Sequence, residues 1–154
     1  TTWCTTTMLE IDGDAISIVH QYGGVLVHQV NCRRIAGAGI ALAIRRQWPH
    51  WFLTYSTQYL ALGAATLIRV QAKPVAYVAS IYAQDGIGAY SRQTNYEAFA
   101  TALDKLQVLL TPVTTLPVYV PYKIGCGLGG GDWDKIRGIL EDKLPNATIV
   151  RLRR

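Results

Sequence analysis

Residues 125–131 hold five glycines in seven positions, reading Gly125-Cys126-Gly127-Leu128-Gly129-Gly130-Gly131. An apolar run at 117–120 comes before them, and Asp132 opens a helix-patterned run after them. So many missing Cβ atoms at a strand-to-helix junction give the backbone turns that other residues resist. Such a loop lets N–H groups close on an anion, and the dipole of the next helix favours negative charge there. Two readings stand side by side: a phosphate cradle and a tightly turned connector. The spacing matches neither G-x-x-x-x-G-K-[ST] nor G-x-G-x-x-G with a following acidic ribose ligand, so the common nucleotide motifs do not explain it.

The rest of the chain must supply a sheet for this junction. At 154 residues one domain is expected, with enough chain to bury a core. Half the residues are hydrophobic, which argues against disorder. The net charge of +5 favours anionic partners, from small phosphates to nucleic acid. Three cysteines, Cys4, Cys32 and Cys126, lack metal spacing and are odd in number, which points to a reducing, cytoplasmic protein without structural disulfides. No stretch is long and apolar enough to span a membrane. No signal peptide is visible, and residues 1–7 read as a polar N-terminal segment, in part vector-derived.

Taken in order, residues 7–11 predict a first strand, stopped by the turn signal Asp12-Gly13-Asp14-Ala15. Residues 24–31 predict a second strand, apolar on both faces and therefore central. Asn31 to Gly39 breaks it, and Ile40, Ile44 and Trp48 fall at helical spacing up to Pro49. Trp51, Tyr55 and Tyr59 repeat that spacing before Gly63. Residues 66–72 and 75–82, separated by Lys73-Pro74, predict a hairpin, and residues 84–93 a loop. Thr94-Asn95-Tyr96-Glu97 reads as a capping box with Thr94 as the cap. Tyr96, Phe99, Leu103, Leu106 and Leu110 then form one apolar stripe. Strands at 116–120 and 147–152 flank a helix that Asp132 caps and Pro145-Asn146 ends. The alternation predicts an α/β fold, a three-layer α/β/α sandwich on a mixed, mostly parallel sheet. Ligands of such sheets bind outside the carboxyl ends of the strands, where both glycine-rich loops fall.

Three segments, in this order, resemble a macro domain: Gly13-Asp14-Ala15; His28-Gln29-Val30-Asn31 leading to Gly37-Ala38-Gly39-Ile40-Ala41; and Ile124 through Trp133. The likeness covers about residues 8–152, and residues 8–154 are taken as a single macro-like domain. The chain looks closest to small stand-alone members of the ADP-ribose 1″-phosphate phosphatase and terminal ADP-ribose glycohydrolase branch. The resemblance implies ADP-ribose or a derivative as ligand. Asp14 would accept from the adenine amino group with the Ala15 N–H nearby, and Asn31 would meet the distal ribose. Gly37, Ala38 and Gly39, continuing into Ile40, would form one wall of the diphosphate site. Ile124, Gly125, Cys126, Gly127, Leu128, Gly129 and Gly130 would form the other, with Gln84 beside them. The resemblance also implies ADP-ribose derivatives and ADP-ribosylated macromolecules as partners, no cofactor, and a monomer. One departure matters: glycohydrolase relatives carry a lysine where this chain reads Ser80-Ile81-Tyr82-Ala83-Gln84-Asp85, so a lysine adduct is not expected. That run looks more like phage and bacterial members tied to phosphatase activity.

Asp85, His28 and Asn31 are the candidate catalytic residues. Asp85 sits at a strand end, where a carboxylate could activate water, orient a ribose hydroxyl, or simply make a turn. His28 could shuttle protons near neutral pH or be a satisfied core residue; three positions before Asn31, it should face the other side of the strand. Asp132 reads more simply as a cap than as a base. Tyr82, Tyr90 and Tyr122 are candidate pocket or rim residues. His20 and His50 have no partner at ligand spacing, so no metal is expected. Three functions follow: hydrolysis at the distal ribose, a non-catalytic module that holds or sequesters ADP-ribose-type nucleotides, and nucleic-acid binding, which the charge favours but no clustered basic run supports.

Overall fold

The strand at Gly24–Asn31 is covered on both faces, Val25 and Val27 packing into one core and Leu26 and Val30 into another. The computed structural model describes residues 8–37, 39–85, 94–126 and 129–152. The strands are β1 (Glu10–Asp12), β2 (Gly24–Asn31), β3 (Ala65–Ala72), β4 (Val75–Gln84), β5 (Val118–Pro121) and β6 (Thr148–Arg151). They form one sheet in the order β1-β6-β5-β2-β4-β3. Only the β3–β4 hairpin pairs antiparallel; every other pair is parallel. After β2 the chain builds β3 and β4 on one side, then crosses back to build β5 and β6 on the other. The order therefore reverses between β2 and β5, and a crevice is expected above that point.

Helices cover both faces. On one lie α1 (Ala15–Tyr22), α2 (Gly39–Gln47) and α3 (Pro49–Tyr55), which bury Val19, Ile44, Trp51 and Tyr55. On the other lie α4 (Tyr96–Leu109) and α5 (Trp133–Lys143), which bury Phe99, Leu103, Leu106, Ile136 and Leu140. The fold is thus the expected three-layer α/β/α sandwich with a mixed, mostly parallel sheet. Each fully buried Leu, Ile or Phe contributes on the order of 1.5–3 kcal/mol of transfer free energy.

Several local expectations are corrected. Asp14 does not end in a turn: it opens α1, its Oδ1 accepting from Ile16 N at 3.0 Å and Ser17 N at 3.4 Å. Pro49 both stops α2 and starts α3, because its missing N–H costs nothing in a first helical turn. The helix ends at Tyr55, and Tyr59 is 80% exposed beyond it. The capping box is shifted by one residue: Asn95, not Thr94, caps α4, accepting from Ala98 N at 2.9 Å. Asp132 caps α5 as expected, accepting from Asp134 N at 2.9 Å.

His28 is the largest departure. The register of β2 on β4 shifts between Val30 and Asn31, a bulge that turns Asn31 toward the α1–α3 layer instead of away from it. His28 and Asn31 therefore both meet the stacked pair Trp51 and Tyr55. The His28 ring lies edge-on to Trp51 at 5.1 Å, and the Tyr55 hydroxyl shares its one proton between Asn31 O, 2.9 Å away, and Asn31 Oδ1, 3.1 Å away. His28 is fully buried, with Nε2 2.7 Å from Ser80 Oγ and no partner for Nδ1. A second ring proton would sit away from water, so burial lowers its pKa from 6.5 to about 3. It packs the core as a neutral ring and is sealed from solvent.

A histidine with a depressed folded pKa leaves more protons on the unfolded chain. Its contribution is complete above pH 6.5 and is lost as pH falls from 6.5 toward about 3. In that window it should steepen the fall in stability by up to about 1.4 kcal/mol per pH unit. Urea unfolding across the window should show a shallower pH slope in His28→Phe than in the parent, whatever the absolute stabilities. Equal slopes would mean that His28 is protonated in the folded core.

Candidate functional site

Where the strand order reverses, the carboxyl ends of β2, β4 and β5 frame a cleft of about 430 Å³. Gln29, Val30 and Asn31 from β2 and Gln84 from β4 line its floor. Ile35, Gly37, Gly39, Ile40 and Ala41 form one wall, and Pro121 through Gly125 with Gly129 form the other. A cleft of this size suits a small organic ligand and is placed where open α/β sheets bind them.

The glycine-rich wall is tied to the sheet by one chain of hydrogen bonds. The Thr94 hydroxyl donates to Gly125 O at 2.7 Å, and Thr94 N donates to Gly129 O at 2.9 Å. Since the hydroxyl proton is spent on that carbonyl, Thr94 Oγ1 must accept from Gln29 Nε2, 2.9 Å away. The second Nε2 proton goes to Gln84 Oε1 at 3.1 Å. Gly131 N closes the loop on Gly125 O at 2.9 Å, and Asp132 N donates to Tyr96 Oη at 2.9 Å. The glycines answer to this floor. A Cβ on Gly129 would overlap Thr94 Oγ1, and one on Gly125, whose φ is 74°, would lie 2.8 Å from Gln29 Oε1. Thr94 is therefore a loop anchor, a role that its place in an apparent capping box concealed.

The two helix N-termini beside the cleft differ. Gly39, Ile40 and Ala41, the first turn of α2, line the cleft directly, and that turn carries no acidic residue. Its N–H groups and the positive dipole end favour an anion. At α5, by contrast, Asp132 takes a first-turn N–H and Asp134 adds a second carboxylate. Among the described residues the first turn of α2 is therefore the less negative of the two helix ends. On the opposite wall Lys123, held at φ 60°, supplies a cation.

Of the residues singled out from sequence, Asn31, Gly37, Gly39, Ile40, Gln84, Ile124, Gly125 and Gly129 line the cleft, and so does Tyr122. Ala38, Tyr90, Gly127 and Leu128 lie outside the described residues. Asp14 and Ala15 start α1 at the carboxyl end of β1, on the same edge of the sheet but outside the lining. Cys126 and Gly130 belong to the loop without lining the cleft, and burial raises the Cys126 thiol pKa. Asp85 is exposed one residue beyond Gln84, near enough to Cys32 to add to the upward shift that burial gives that thiol. Tyr82 is buried outside the cleft, its pKa pushed up to about 12 by burial.

Asn31 is more committed than its sequence role suggests. Its Oδ1 accepts from Arg33 N at 3.0 Å, Ile35 N at 3.2 Å and the Tyr55 hydroxyl, while Nδ2 donates to Ile35 O at 2.8 Å. One amide proton remains for a ligand. Gln29, Val30, Ile35, Ala41, Pro121 and Lys123 are lining residues that sequence reasoning missed. Gln29 was legible in principle, since it is a polar side chain near the carboxyl end of an otherwise apolar central strand. Among the described residues no three His, Cys, Asp or Glu side chains gather as metal ligands, and no helix is long and apolar enough to cross a membrane.

No family model matches the chain, and no curated protein matches it either. Solved structures do. A protein of unknown function from Bacteroides thetaiotaomicron is 27% identical, with a TM-score of 0.82 over 97% of this chain and 100% of that one. The macrodomain of Mycobacterium tuberculosis DarG is 20% identical, with a TM-score of 0.74 over 96% of this chain and 99% of that one. Thermosipho africanus DarTG, solved in complex with ADP-ribose, is 16% identical, with a TM-score of 0.67 over 84% of this chain and 38% of that one. With its mixed six-stranded sheet, two helical layers and crevice between β2 and β5, the chain has the macro-domain fold.

Proposed function

We propose that the cleft binds ADP-ribose or a close derivative, held by residues 8–154 acting as one macro-like domain. The observation that carries this reading is the acid-free first turn of α2 facing a glycine-rich loop across a cleft at the switch point. A diphosphate would bridge these walls, with the α2 N–H groups and Lys123 offsetting its charge. Adenine would lie toward Asp14 and Ala15. The distal ribose would lie toward Gln84 and the remaining amide proton of Asn31. The structure of a similarly folded protein with ADP-ribose supports the choice of ligand.

Hydrolysis at the distal ribose, most directly release of a 1″-phosphate, is the catalytic extension of that reading. Asp85 supports it. Among the described residues it is the one carboxylate adjacent in sequence to a residue lining the cleft. Water attacking the phosphorus would give up a proton to Asp85 as the bond to the ribose oxygen breaks, and that proton would pass to the ribose oxygen as it leaves as a hydroxyl. His28, sealed beneath Trp51, takes no part. If Asp85 does not act this way, the protein is a binding module for the same nucleotide.

Three measurements test the reading. A Cβ on Gly37 meets nothing within 4 Å, so Gly37→Val should fold normally yet intrude on the cleft. Calorimetry should show ADP-ribose affinity falling about tenfold or more, with Tm unchanged, as expected when a ligand's contact is lost to steric overlap. Normal binding would remove that wall from the site. Asp14→Ala removes both the α1 cap, worth about 1 kcal/mol, and the proposed adenine contact. Asp14→Ser can keep the cap and lose the charge, so it should weaken ADP-ribose binding while holding Tm near the parent value. An Asp14→Ser protein with parental affinity would place adenine elsewhere. Finally, Asp85→Ala should lower phosphate release from ADP-ribose 1″-phosphate by about 10² or more with little change in ADP-ribose affinity. Binding without turnover in the parent protein would leave the module reading alone.

A further inference from the structure

Ten acidic residues occur in the chain, yet none lies between Asp14 and Asp85. That acid-free span carries Arg33, Arg34, Arg45, Arg46, Arg69 and Lys73, and it builds α1, α2, α3 and the β3–β4 hairpin. The ion pairs of the described residues all lie elsewhere, joining Arg137 to Glu10 and Glu141, and Lys143 to Asp104 and Asp142. The charge is therefore segregated: Arg137 and Lys143 of α5 meet carboxylates of β1, α4 and α5, while the α2–α3 layer carries cations with no acid of its own.

Two of these arginines place the guanidinium carbon over an aromatic ring. The Arg34 guanidinium sits 3.7 Å from the centre of the Tyr59 ring, and Arg45 sits 3.7 Å from the centre of the Phe52 ring. Arg34 is held in the left-handed region at φ 60°, and its Nε is buried without a hydrogen-bond partner. Phe52 and Tyr55 are 6.4 Å apart between ring centres, and Tyr55 bonds to Asn31, which in turn holds the Arg33–Ile35 turn. The two pairs thus belong to one side of the molecule. Tyr59 is 80% exposed and Leu53 68% exposed on the same segment, and Ile35 connects this strip to the cleft rim.

We propose that the α2–α3 face, through Arg33, Arg34, Arg45, Arg46 and Tyr59, binds single-stranded nucleic acid. Unpaired cations meet the phosphate backbone and release its counterions. Guanidinium groups and the exposed Tyr59 ring stack on unpaired bases regardless of sequence. An acidic protein surface would use the charge but leave the ring–guanidinium planes unused, and a duplex would hide the bases that those planes fit. The proposal does not depend on what occupies the cleft.

The test is fluorescence anisotropy of a labelled oligothymidylate titrated with the intact chain at low and at physiological salt. Binding should weaken with salt, with a log–log slope of about −0.7 for each phosphate neutralised on a single strand. Arg45→Glu combined with Arg46→Glu should weaken binding about tenfold or more and make the slope shallower. Tyr59→Ala should weaken it about fivefold or more without altering the slope, since stacking releases no counterion. Arg45→Lys, which keeps the charge and loses the plane, should fall between. Thermal unfolding checks that each variant is folded, and a folded Arg33→Gln serves as an independent charge variant should the double reversal fail to fold. Absence of binding at low salt overturns the proposal, as does parental affinity in the folded charge variants. Equal affinity for heparin or for phosphatidylserine vesicles would also overturn it, because a bare polyanion surface needs no exposed ring.

Discussion

A single hydroxyl organises the candidate site. Thr94 Oγ1 gives its proton to Gly125 O and receives one from Gln29, so a central strand, the entrance of α4 and the glycine-rich loop share one atom. Because that proton can go to only one acceptor, the rest follows in sequence. Gln29 must present its amide nitrogen, and Gln84 must present its oxygen. The loop then comes so close to the sheet that Gly125 and Gly129 have no room for a Cβ. Glycine there serves contact with the protein's own floor first; the same contact shapes the wall that a ligand would meet.

The two walls of the cleft are thus built on different principles. One is backbone pinned from below by side chains. The other is the open start of a helix, reached through a turn that Asn31 holds with three of its four hydrogen-bonding capacities. At α5, by contrast, Asp132 takes up one first-turn N–H and, with Asp134, sets negative charge at the helix end. Electrostatic attraction for an anion therefore concentrates at α2 and Lys123, on opposite sides of the gap, which favours a ligand long enough to touch both.

Much of this was legible in the sequence, and the failures have specific causes. The double-sided apolar pattern of residues 24–31 identified the central strand because only a covered strand tolerates it. The α4 stripe and the Asp132 cap were readable for equally local reasons. The α1 helix went unseen because Asp12-Gly13-Asp14 signals a turn with or without a helix behind it. Thr94 and Asn95 are both good caps, and the choice between them was made by a partner thirty-one positions away, Gly125, which no local pattern displays. The bulge after Val30 inverted the facing of Asn31, so a strict two-residue alternation misjudged its relation to His28. His28 itself could not be assigned from sequence, since a buried ring and a proton shuttle differ only in what surrounds them.

The short length of β5 has a mechanical consequence. It meets β2 through only two register pairs, Val25 with Val118 and Leu26 with Tyr119, whereas β2 meets β4 along its whole length. The sheet is thus two plates, β4 with β2 and β3 on one side and β5 with β6 and β1 on the other, joined by a narrow seam. The cleft opens directly above that seam. A small rotation of one plate against the other would change the gap between the α2 end and Lys123, and the Gln29–Thr94–Gly125 bonds that cross the seam are what resist it.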